Sequence, residues 1–365
     1  MTVVRKLLSV DWASEMKGIY DYHVLRYLRT VPPRQLVMDV TYRCNSRCVM
    51  CNIWSSGKKP ELTLEQFDQI LSEPLFGGIE RLMISGGEPT LRDDLPGLIA
   101  LSIKRMPSLH TLSFITNGLW PERVLSTCEA IARLCVARGI HLSISVSLDG
   151  LGEIHNSMRG IPKAFAETTR TIEELRGLQE TYGFYLGVGC VICHANLHQL
   201  GDFRSWCEEH SLPCGFQLVG FHDTYVGNLA QQEVLDFSED DLPRLYALME
   251  ELAAERSLRN WMAYYWADML RMYRDGRERR SPCPFLVDSF VLDAYGNIRI
   301  CETADNIGNC LVDGSCTDLY YGPKAATMRQ AMARRECLTC NSGCLVPVGL
   351  RRQGFKYMRF LLSGT

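Results

Sequence analysis

The sequence predicts an α/β fold in which parallel strands alternate with helices, followed by a small cysteine-rich domain. Six short runs of apolar and β-branched residues recur along residues 35–220, and helix-like apolar spacing separates them. Strands that are nearly all apolar are typical of a parallel sheet covered by helices. Seven of the sixteen cysteines lie between Cys283 and Cys344. These observations favour βα winding, either as a partial barrel or as an open sheet.

The predicted strands are residues 35–41, 80–85, 111–116, 142–148, 185–192 and 215–220. The alternation ends near residue 222, and two helices are predicted before residue 280. The segment from Cys283 onward reads as a β-hairpin with glycines, too poor in core to fold without a metal centre. We therefore predict an N-terminal helical arm (1–33), a partial barrel (34–222), a helical linker (223–280), a cysteine-rich domain (281–350) and a C-terminal helix (351–365).

Composition and charge restrict the class of protein. The chain has 365 residues and a formal net charge of -3, which gives no reason to expect nucleic acid or an anionic membrane as a partner. The start carries no secretory signal, and no apolar run is long enough to cross a bilayer. We therefore expect a cytoplasmic protein. In that reducing compartment, sixteen cysteines are expected to include metal ligands rather than to form a disulfide scaffold.

The stretch "CNSRCVMC" places Cys44, Cys48 and Cys51 in a loop after the first predicted strand. In parallel α/β folds, the carboxyl ends of the strands carry the active site. Three thiolates are too few for a closed tetrahedral zinc site, and no histidine has a telling spacing. A [4Fe-4S] cluster held by three cysteines keeps one iron open for a ligand. The loop therefore predicts such a cluster, with a structural metal site as the alternative.

This motif resembles the signature of the radical S-adenosylmethionine (radical SAM) enzymes, although Met50 stands where that family more often has an aromatic residue. The segment "GGEP" resembles the family's contact with the amino group of S-adenosylmethionine. "TNG", "SVSLDG", "HNSMRG" and the fifth strand resemble its ribose, carboxylate and adenine contacts. The resemblance implies that the cofactor-binding residues are Gly86, Gly87, Glu88, Pro89, Asn117, Ser145, Ser147, Asp149, Arg159 and Val191.

The resemblance covers residues 34–222 and implies a partial (β/α)6 TIM-like barrel. It implies that S-adenosylmethionine is cleaved reductively to a 5′-deoxyadenosyl radical, which removes a hydrogen atom from the substrate. It also implies an electron-donating partner such as flavodoxin or ferredoxin. The cofactor supplies the difficult chemistry, while the barrel orients the substrate and excludes water.

The later cysteines resemble the auxiliary-cluster domains called SPASM and twitch. Cys283, twelve residues, Gly296, four residues and Cys301 match the start of that pattern, and "CLTCNSGC" follows. We expect one auxiliary [4Fe-4S] cluster, with structural zinc as the alternative. Its expected ligands are Cys283, Cys301, Cys337 and Cys340, with Cys344 and Cys310 as substitutes. Under this assignment Cys310 and Cys316 are free thiols, and Cys310 is a candidate hydrogen donor to a substrate radical.

Three functions remain open from the sequence. The first is dehydrogenation or epimerisation of a small polar metabolite, such as a sugar or aminocyclitol. It is favoured because the 43 residues before Cys44 leave no room for a leader-binding domain. The second is modification of a ribosomally made peptide or protein side chain. The third is a non-catalytic redox sensor or electron carrier. Nothing selects a proton acceptor among the candidates Tyr225, His222, Asp223 and Arg280.

Overall fold

The computed structural model describes residues 12–56 and 59–363, and the chain divides into two compact units. The larger unit comprises residues 33–244 and 289–325. The smaller unit comprises residues 245–288 and the described parts of 1–32 and 326–365. This division differs from the predicted one, because residues 289–325 join the barrel unit and the predicted linker is split between the two.

The larger unit is built on a nine-stranded sheet with the order β6-β5-β4-β3-β2-β1-β7-β8-β9. Its strands are β1 (Gln35–Asp39), β2 (Arg81–Ser85), β3 (Thr111–Thr116), β4 (His141–Ser147), β5 (Tyr185–Ile192), β6 (Cys214–Leu218), β7 (Ser289–Leu292), β8 (Asn297–Arg299) and β9 (Asn306–Asn309).

The helices have the following bounds: α1 (Trp12–His23), α2 (Leu64–Leu71), α3 (Leu95–Arg105), α4 (Pro121–Arg138), α5 (Glu153–Arg159), α6 (Ala164–Tyr182), α7 (His194–Leu197), α8 (Leu200–Glu209), α9 (Gln232–Leu235), α10 (Leu242–Ala254), α11 (Met262–Asp275), α12 (Cys316–Tyr321), α13 (Pro323–Arg334), α14 (Val346–Arg352) and α15 (Gly354–Ser363).

Strands β1 to β6 confirm the six predicted strands and pair in parallel, each with its sequence neighbour. The sheet is open rather than closed, so the fold is a partial TIM-like barrel. Along β2 and β4, side chains alternate between buried and half-buried, as strand geometry requires when one face packs on helices. The other face of these strands, together with the loops at their carboxyl ends, is where the predicted site residues lie.

The predicted hairpin after Cys283 is present, but it extends the barrel sheet instead of forming a separate domain. Strand β7 pairs in parallel with β1, and β8 and β9 follow antiparallel. The turn between β7 and β8 is stabilised by Asp293, whose carboxylate accepts hydrogen bonds from the backbone N–H groups of Tyr295 and Asn297 at 2.9 Å. Gly296 lies in this turn with a φ of 87°, a conformation that favours glycine.

The smaller unit is helical and has its own core. Tyr265 and Tyr357 are completely buried, and the predicted linker helices correspond to α10 and α11. A buried ion pair joins Asp288 to Arg352. The predicted C-terminal helix (351–365) overlaps the last two residues of α14 and corresponds mainly to α15. Of the predicted N-terminal arm (1–33), residues 1–11 lie outside the described residues. In the described part of the chain, no helix has the length and apolarity to span a membrane.

Replacing Arg92 tests how much its hydrogen bonds after β1 contribute to the stability of the fold. Its guanidinium is buried and donates to the carbonyl oxygens of Val40 at 3.0 Å and Leu62 at 2.7 Å. Replacing Arg92 by Met leaves both carbonyls without this donor, so we expect the free energy of unfolding to fall by about 2–4 kcal/mol. Urea unfolding of the metal-free chain measures it. Arg133→Met, on an exposed surface, is the control, and an equal effect of both variants would contradict the assignment.

Candidate active site

The three-cysteine loop follows β1, as predicted. Ser46 lies between two of its thiols: its backbone N–H donates to Cys44 Sγ at 3.4 Å, and its hydroxyl lies 3.0 Å from Cys48 Sγ. The same hydroxyl donates to the carbonyl oxygen of Arg159 at 3.0 Å. Ser46 is almost completely buried. It therefore orients two sulfur atoms and attaches them to the end of α5.

The carboxyl end of α5 binds the backbone of this loop. The N–H of Arg47 donates to the carbonyl oxygen of Arg159 at 2.9 Å, and the N–H of Val49 donates to that of Met158 at 3.0 Å. The last carbonyl groups of a helix lack partners within it, so external N–H donors satisfy them. Gly160 follows with a φ of 62°, and a Cβ there would overlap the carbonyl oxygen of Arg47. The loop and α5 therefore fit each other only with glycine at this position.

The other side of the three-cysteine loop is bound by residues 220–228, which we call the β6 loop. The N–H of Asn52 donates to the carbonyl oxygen of Val226 at 2.7 Å. The side-chain amide of the buried Asn228 donates to the carbonyl oxygens of Met50 and Gly220, both at 2.9 Å. Backbone hydrogen bonds from two directions therefore fix the path of the chain between the cysteines.

Burial disfavours the deprotonated form of these thiols when no metal is bound. It raises the pKa of the Cys44 thiol to about 12 and that of Cys51 to about 11. Thiolates at such positions are stabilised by a bound metal, and soft sulfur ligands select zinc or iron–sulfur clusters. Among the described residues, no three His, Cys, Asp or Glu side chains converge on a single-ion position. Three thiolates match a [4Fe-4S] cluster with one open iron, whereas a structural zinc site is closed by four ligands.

Gly86 and Gly87 bring the end of β2 against the start of the cysteine loop. The N–H of Gly87 donates to the carbonyl oxygen of Thr41 at 2.7 Å. A Cβ at Gly86 would overlap that same oxygen, and one at Gly87 would overlap the carbonyl oxygen of Arg43. Gly86 also has a φ of 122°, which other residues rarely adopt. Close approach of two backbone segments therefore explains both glycines.

Glu88 is the centre of a buried hydrogen-bond network at the ends of β2 and β3. Its buried carboxylate accepts hydrogen bonds from the hydroxyls of Thr90 at 2.6 Å and Thr116 at 2.9 Å, and from the N–H of Asn117 at 2.7 Å. Burial raises its pKa, and these donors oppose that effect. Pro89 follows as the first residue of a short turn. The carboxylate is thus occupied in joining the ends of β2 and β3.

Asn117 lies beside the cysteine loop, as predicted. Its side-chain amide donates to Asn45 Oδ1 at 2.7 Å and lies 3.8 Å from Cys44 Sγ. Ser145 and Ser147 lie half-buried on one face of β4, which keeps their hydroxyls available for a ligand. The structure thus brings Asn117 to the cluster loop and leaves the two serines on the strand face.

Asp149 and Arg159 form a buried ion pair, which the sequence did not predict. Arg159 Nη2 lies 2.6 Å from Asp149 Oδ2, and the other carboxylate oxygen accepts from the N–H of Val191 at 2.9 Å. Asp149 therefore connects the end of β4 to α5 and to β5. Arg159 Nη1 lies 3.6 Å from Cys48 Sγ, so its charge faces the cluster loop. Within the described residues its Nε–H makes no hydrogen bond and remains available to a ligand.

Val191 belongs to an apolar cluster beside the three-cysteine loop. Met50, Met158 and Val219 are buried there, and Val191 and Cys48 pack against them. Such a surface is suited to a flat aromatic ring such as adenine. The predicted role of Val191 fits this position.

Tyr225 is the candidate proton acceptor that the structure brings to the site. Its hydroxyl lies 3.0 Å from Ser85 Oγ and 3.1 Å from both the nitrogen and the oxygen of Gly86. Burial raises the pKa of this hydroxyl well above its usual value. His222 and Asp223 lie on the same β6 loop, whereas Arg280 belongs to the smaller unit, where its backbone N–H donates to Asp268.

Sequence reasoning missed a buried ion pair in the larger unit. Arg299 Nη2 lies 2.7 Å from Asp39 Oδ2.

The second cysteine set is distributed over both units. In the larger unit, Cys310 and Cys316 form a disulfide, so the expectation that both are free thiols is wrong for this state. Their Cα atoms lie only 4.9 Å apart because the turn after β9 leads directly into α12. An oxidised Cys310 has no thiol hydrogen to donate and no thiolate to offer a metal. Cys301 also belongs to the larger unit.

The remaining cysteines of this set lie in the smaller unit: Cys283, Cys337, Cys340 and Cys344. Arg279 is half-buried and donates to the carbonyl oxygen of Cys340 at 3.0 Å. Burial opposes its charged form, but Cys340 and Cys283 raise its pKa above the ordinary value. A cation fixed next to thiols favours their thiolate form, which is the form that binds metals.

Comparison with known sequences identifies the class of the larger unit. Residues 38–195 match the sequence model of the Radical SAM superfamily. This range includes the three-cysteine loop, both glycines of the β2 turn, and the Asp149–Arg159 pair. The chain therefore carries a Radical SAM domain, and this family uses a [4Fe-4S] cluster and S-adenosylmethionine.

The individual relatives have low sequence identity to this chain. A Fe-coproporphyrin III synthase from Methanosarcina barkeri is 28% identical over 60% of this chain and 51% of its own length. A mycofactocin maturase from Mycobacterium ulcerans is 31% identical over 49% of this chain and 45% of its own length. The chain thus spans about half the length of these curated relatives. The structure of anSMEcpe with bound AdoMet and a peptide has a TM-score of 0.59, 18% identity, and covers 85% of this chain and 86% of its own.

Gly87→Ala tests the close approach of β2 to the cysteine loop. The new Cβ would overlap the carbonyl oxygen of Arg43 and displace the segment that binds the cofactor. We expect the affinity for S-adenosylmethionine to fall at least about tenfold, by the loss of two or more hydrogen bonds. Calorimetry on the anaerobically reconstituted protein measures it. Gly177→Ala on the exposed face of α6, with open space around it, should bind normally; equal affinity in both variants would refute the assignment.

Proposed function

We propose that this protein is a radical SAM maturase that oxidises or cross-links a side chain of a ribosomally made peptide or protein. The observation that carries the proposal is the likeness, over most of the chain, to a fold solved with both AdoMet and a peptide bound. The mycofactocin maturase supports it at the level of sequence. This reading replaces the small polar metabolite that the sequence favoured, because the relatives support a peptide substrate better.

The cluster and S-adenosylmethionine together supply a radical that removes a hydrogen atom from an unactivated C–H bond. The chain's own residues hold the parts in place. Ser46 and Asn117 orient the three-cysteine loop, and Arg159 Nη1 donates toward Cys48 Sγ at 3.6 Å. Gly86 and Gly87 allow the β2 turn to approach the loop. Met50, Met158 and Val219 exclude water from one side of the site.

We further propose that the smaller unit holds an auxiliary [4Fe-4S] cluster on Cys283, Cys337 and Cys340. The Arg279 guanidinium beside two of these cysteines supports thiolate ligation there. Cys344 is the candidate for the fourth ligand within the same unit, and Cys301 of the larger unit serves as the comparison. Such a cluster would accept the electron released when the substrate radical is oxidised, which makes the net reaction a two-electron oxidation.

A second candidate is a tetrapyrrole substrate. The first relative described above is a Fe-coproporphyrin III synthase, which favours this candidate by sequence. The two candidates differ in the class of molecule that must enter the site, so a substrate assay separates them.

The cluster loop is tested by replacing Cys44, Cys48 and Cys51 with Ala. Without three thiolates the cluster cannot be held, so formation of 5′-deoxyadenosine from S-adenosylmethionine and dithionite should fall to background. Chromatography of the product measures this. The control replaces two buried cysteines of α4, Cys128 and Cys135, and should retain product formation. Product formation by the triple variant would disprove the assignment of the loop.

Iron analysis tests the auxiliary cluster. The reconstituted chain should bind about eight irons, and a variant with Cys283, Cys337 and Cys340 changed to Ala should bind about four. Separate Cys344→Ala and Cys301→Ala variants identify the fourth ligand, because only its loss should lower the iron content. A wild-type value near four would remove the auxiliary cluster and leave the Radical SAM domain unaffected.

The substrate class is tested with the reduced holoprotein, S-adenosylmethionine and two sets of candidates: short peptides encoded beside the gene, and tetrapyrrole precursors of Fe-coproporphyrin III, the compound that the relative is named for producing. A peptide that loses the mass of two hydrogen atoms per turnover supports the proposed function. Conversion of a tetrapyrrole alone would replace it with the second candidate. Mass spectrometry distinguishes the two outcomes.

A further inference from the structure

The hydroxyl of Tyr225 forms several hydrogen bonds with the turn after β2, which is the turn that we expect to bind the cofactor. The N–H of Gly86 donates to its hydroxyl and the hydroxyl can donate to the carbonyl oxygen of the same residue, both at 3.1 Å. Ser85 Oγ lies 3.0 Å from the same hydroxyl. One side-chain atom thus bonds both polar groups of the residue whose φ of 122° makes its conformation special. Because glycine is flexible, its peptide orientation depends on such external contacts.

The ring of Tyr225 lies beside charged residues of two strands. Asp39 ends β1 and is the register partner of Ser85 on β2, so both side chains lie on the same face of the sheet. Arg299 ends β8 and pairs with Asp39 at 2.7 Å. Its guanidinium carbon lies 5.7 Å from the centre of the Tyr225 ring, so the pair helps to fix the position of the ring.

Tyr225 is also fixed in position by the loop that carries it. It belongs to the β6 loop, which Asn52 and Asn228 attach to the three-cysteine loop through hydrogen bonds of 2.7–2.9 Å. Its ring packs in an apolar cluster with Tyr42, Ile53 and Cys51. The same tyrosine therefore touches the environment of the cluster and the β2 turn, the two parts that must be aligned to bind one cofactor.

We propose that Tyr225 is a positioning residue of the S-adenosylmethionine site, which holds the Gly86 peptide in its binding orientation, with the Arg299 guanidinium packed over its ring. It acts through Gly86 and does not touch the reacting atoms. Without the hydroxyl, the peptide is free to rotate, and part of the binding free energy is lost to ordering it again.

The test is Tyr225→Phe, which retains the ring and removes only the hydroxyl. We expect S-adenosylmethionine to bind the reconstituted full chain about five- to tenfold more weakly, with unchanged iron content. The electron paramagnetic resonance signal of the reduced cluster should match that of the wild type without S-adenosylmethionine. It should shift only at the higher concentrations that the weaker affinity demands. If Tyr225 only stabilised the fold, its loss would lower the iron content together with the affinity. The S-adenosylmethionine concentration at which the signal shifts would then not change while the iron content stayed constant.

Tyr295→Phe is the matched control. Tyr295 packs on the same apolar cluster and its hydroxyl also donates to one backbone carbonyl, that of Ser56 at 2.7 Å, away from the β2 turn. It should bind S-adenosylmethionine as the wild type does. Equal affinity of the Tyr225→Phe variant and the wild type would overturn the proposal, and so would an equal loss in both variants.

A second variant decides the matter if Tyr225→Phe fails to hold its cluster. Ser85→Ala removes one partner of the same hydroxyl and should weaken binding about two- to threefold; unchanged affinity would then overturn the proposal. Binding by the wild type serves as the reference throughout. Its failure would indicate that the domain itself does not bind S-adenosylmethionine, which is a different result from the failure of Tyr225 alone.

Discussion

The site depends on the hydrogen bonds that hold the backbone of the three-cysteine loop from two sides. Carbonyl groups at the end of α5 accept from Arg47 and Val49, and the β6 loop binds Asn52 and Met50. A loop without regular structure would otherwise lose much conformational entropy when its thiols converge on a cluster. Because these hydrogen bonds already fix the path of the chain, less conformational entropy remains to be lost when the thiols bind a cluster.

This constraint also links the loop to the rest of the cofactor site. Arg159 ends the helix that binds the loop, pairs with Asp149 after β4, and lies near Cys48 Sγ. Asp149 in turn accepts from Val191, beside the apolar cluster that suits an adenine ring. Glu88 joins the ends of β2 and β3 through buried hydrogen bonds. Residues that a motif would assign to direct ligand contact thus also act as supports for their neighbours.

Much of the fold could be predicted from local patterns, and most of the misses have a common physical cause. The six parallel strands follow from apolar runs, and the cysteine loop follows from its spacing. The pairing of β7 with β1 could not be predicted, because the two strands are about 250 residues apart and their apolar runs carry no pairing information. The Asp39–Arg299 and Asp149–Arg159 pairs depend on the same long-range geometry. The Cys310–Cys316 disulfide was missed because a reducing compartment was assumed.

The central claim is that three thiolates hold a cluster whose fourth iron is open to S-adenosylmethionine. Mössbauer spectroscopy of the protein reconstituted with ⁵⁷Fe tests it most directly, in a variant that lacks Cys283, Cys337 and Cys340 and therefore isolates this cluster. The account predicts that one iron in four changes its isomer shift when S-adenosylmethionine is added. Four irons that do not respond, or zinc in place of iron, would contradict it.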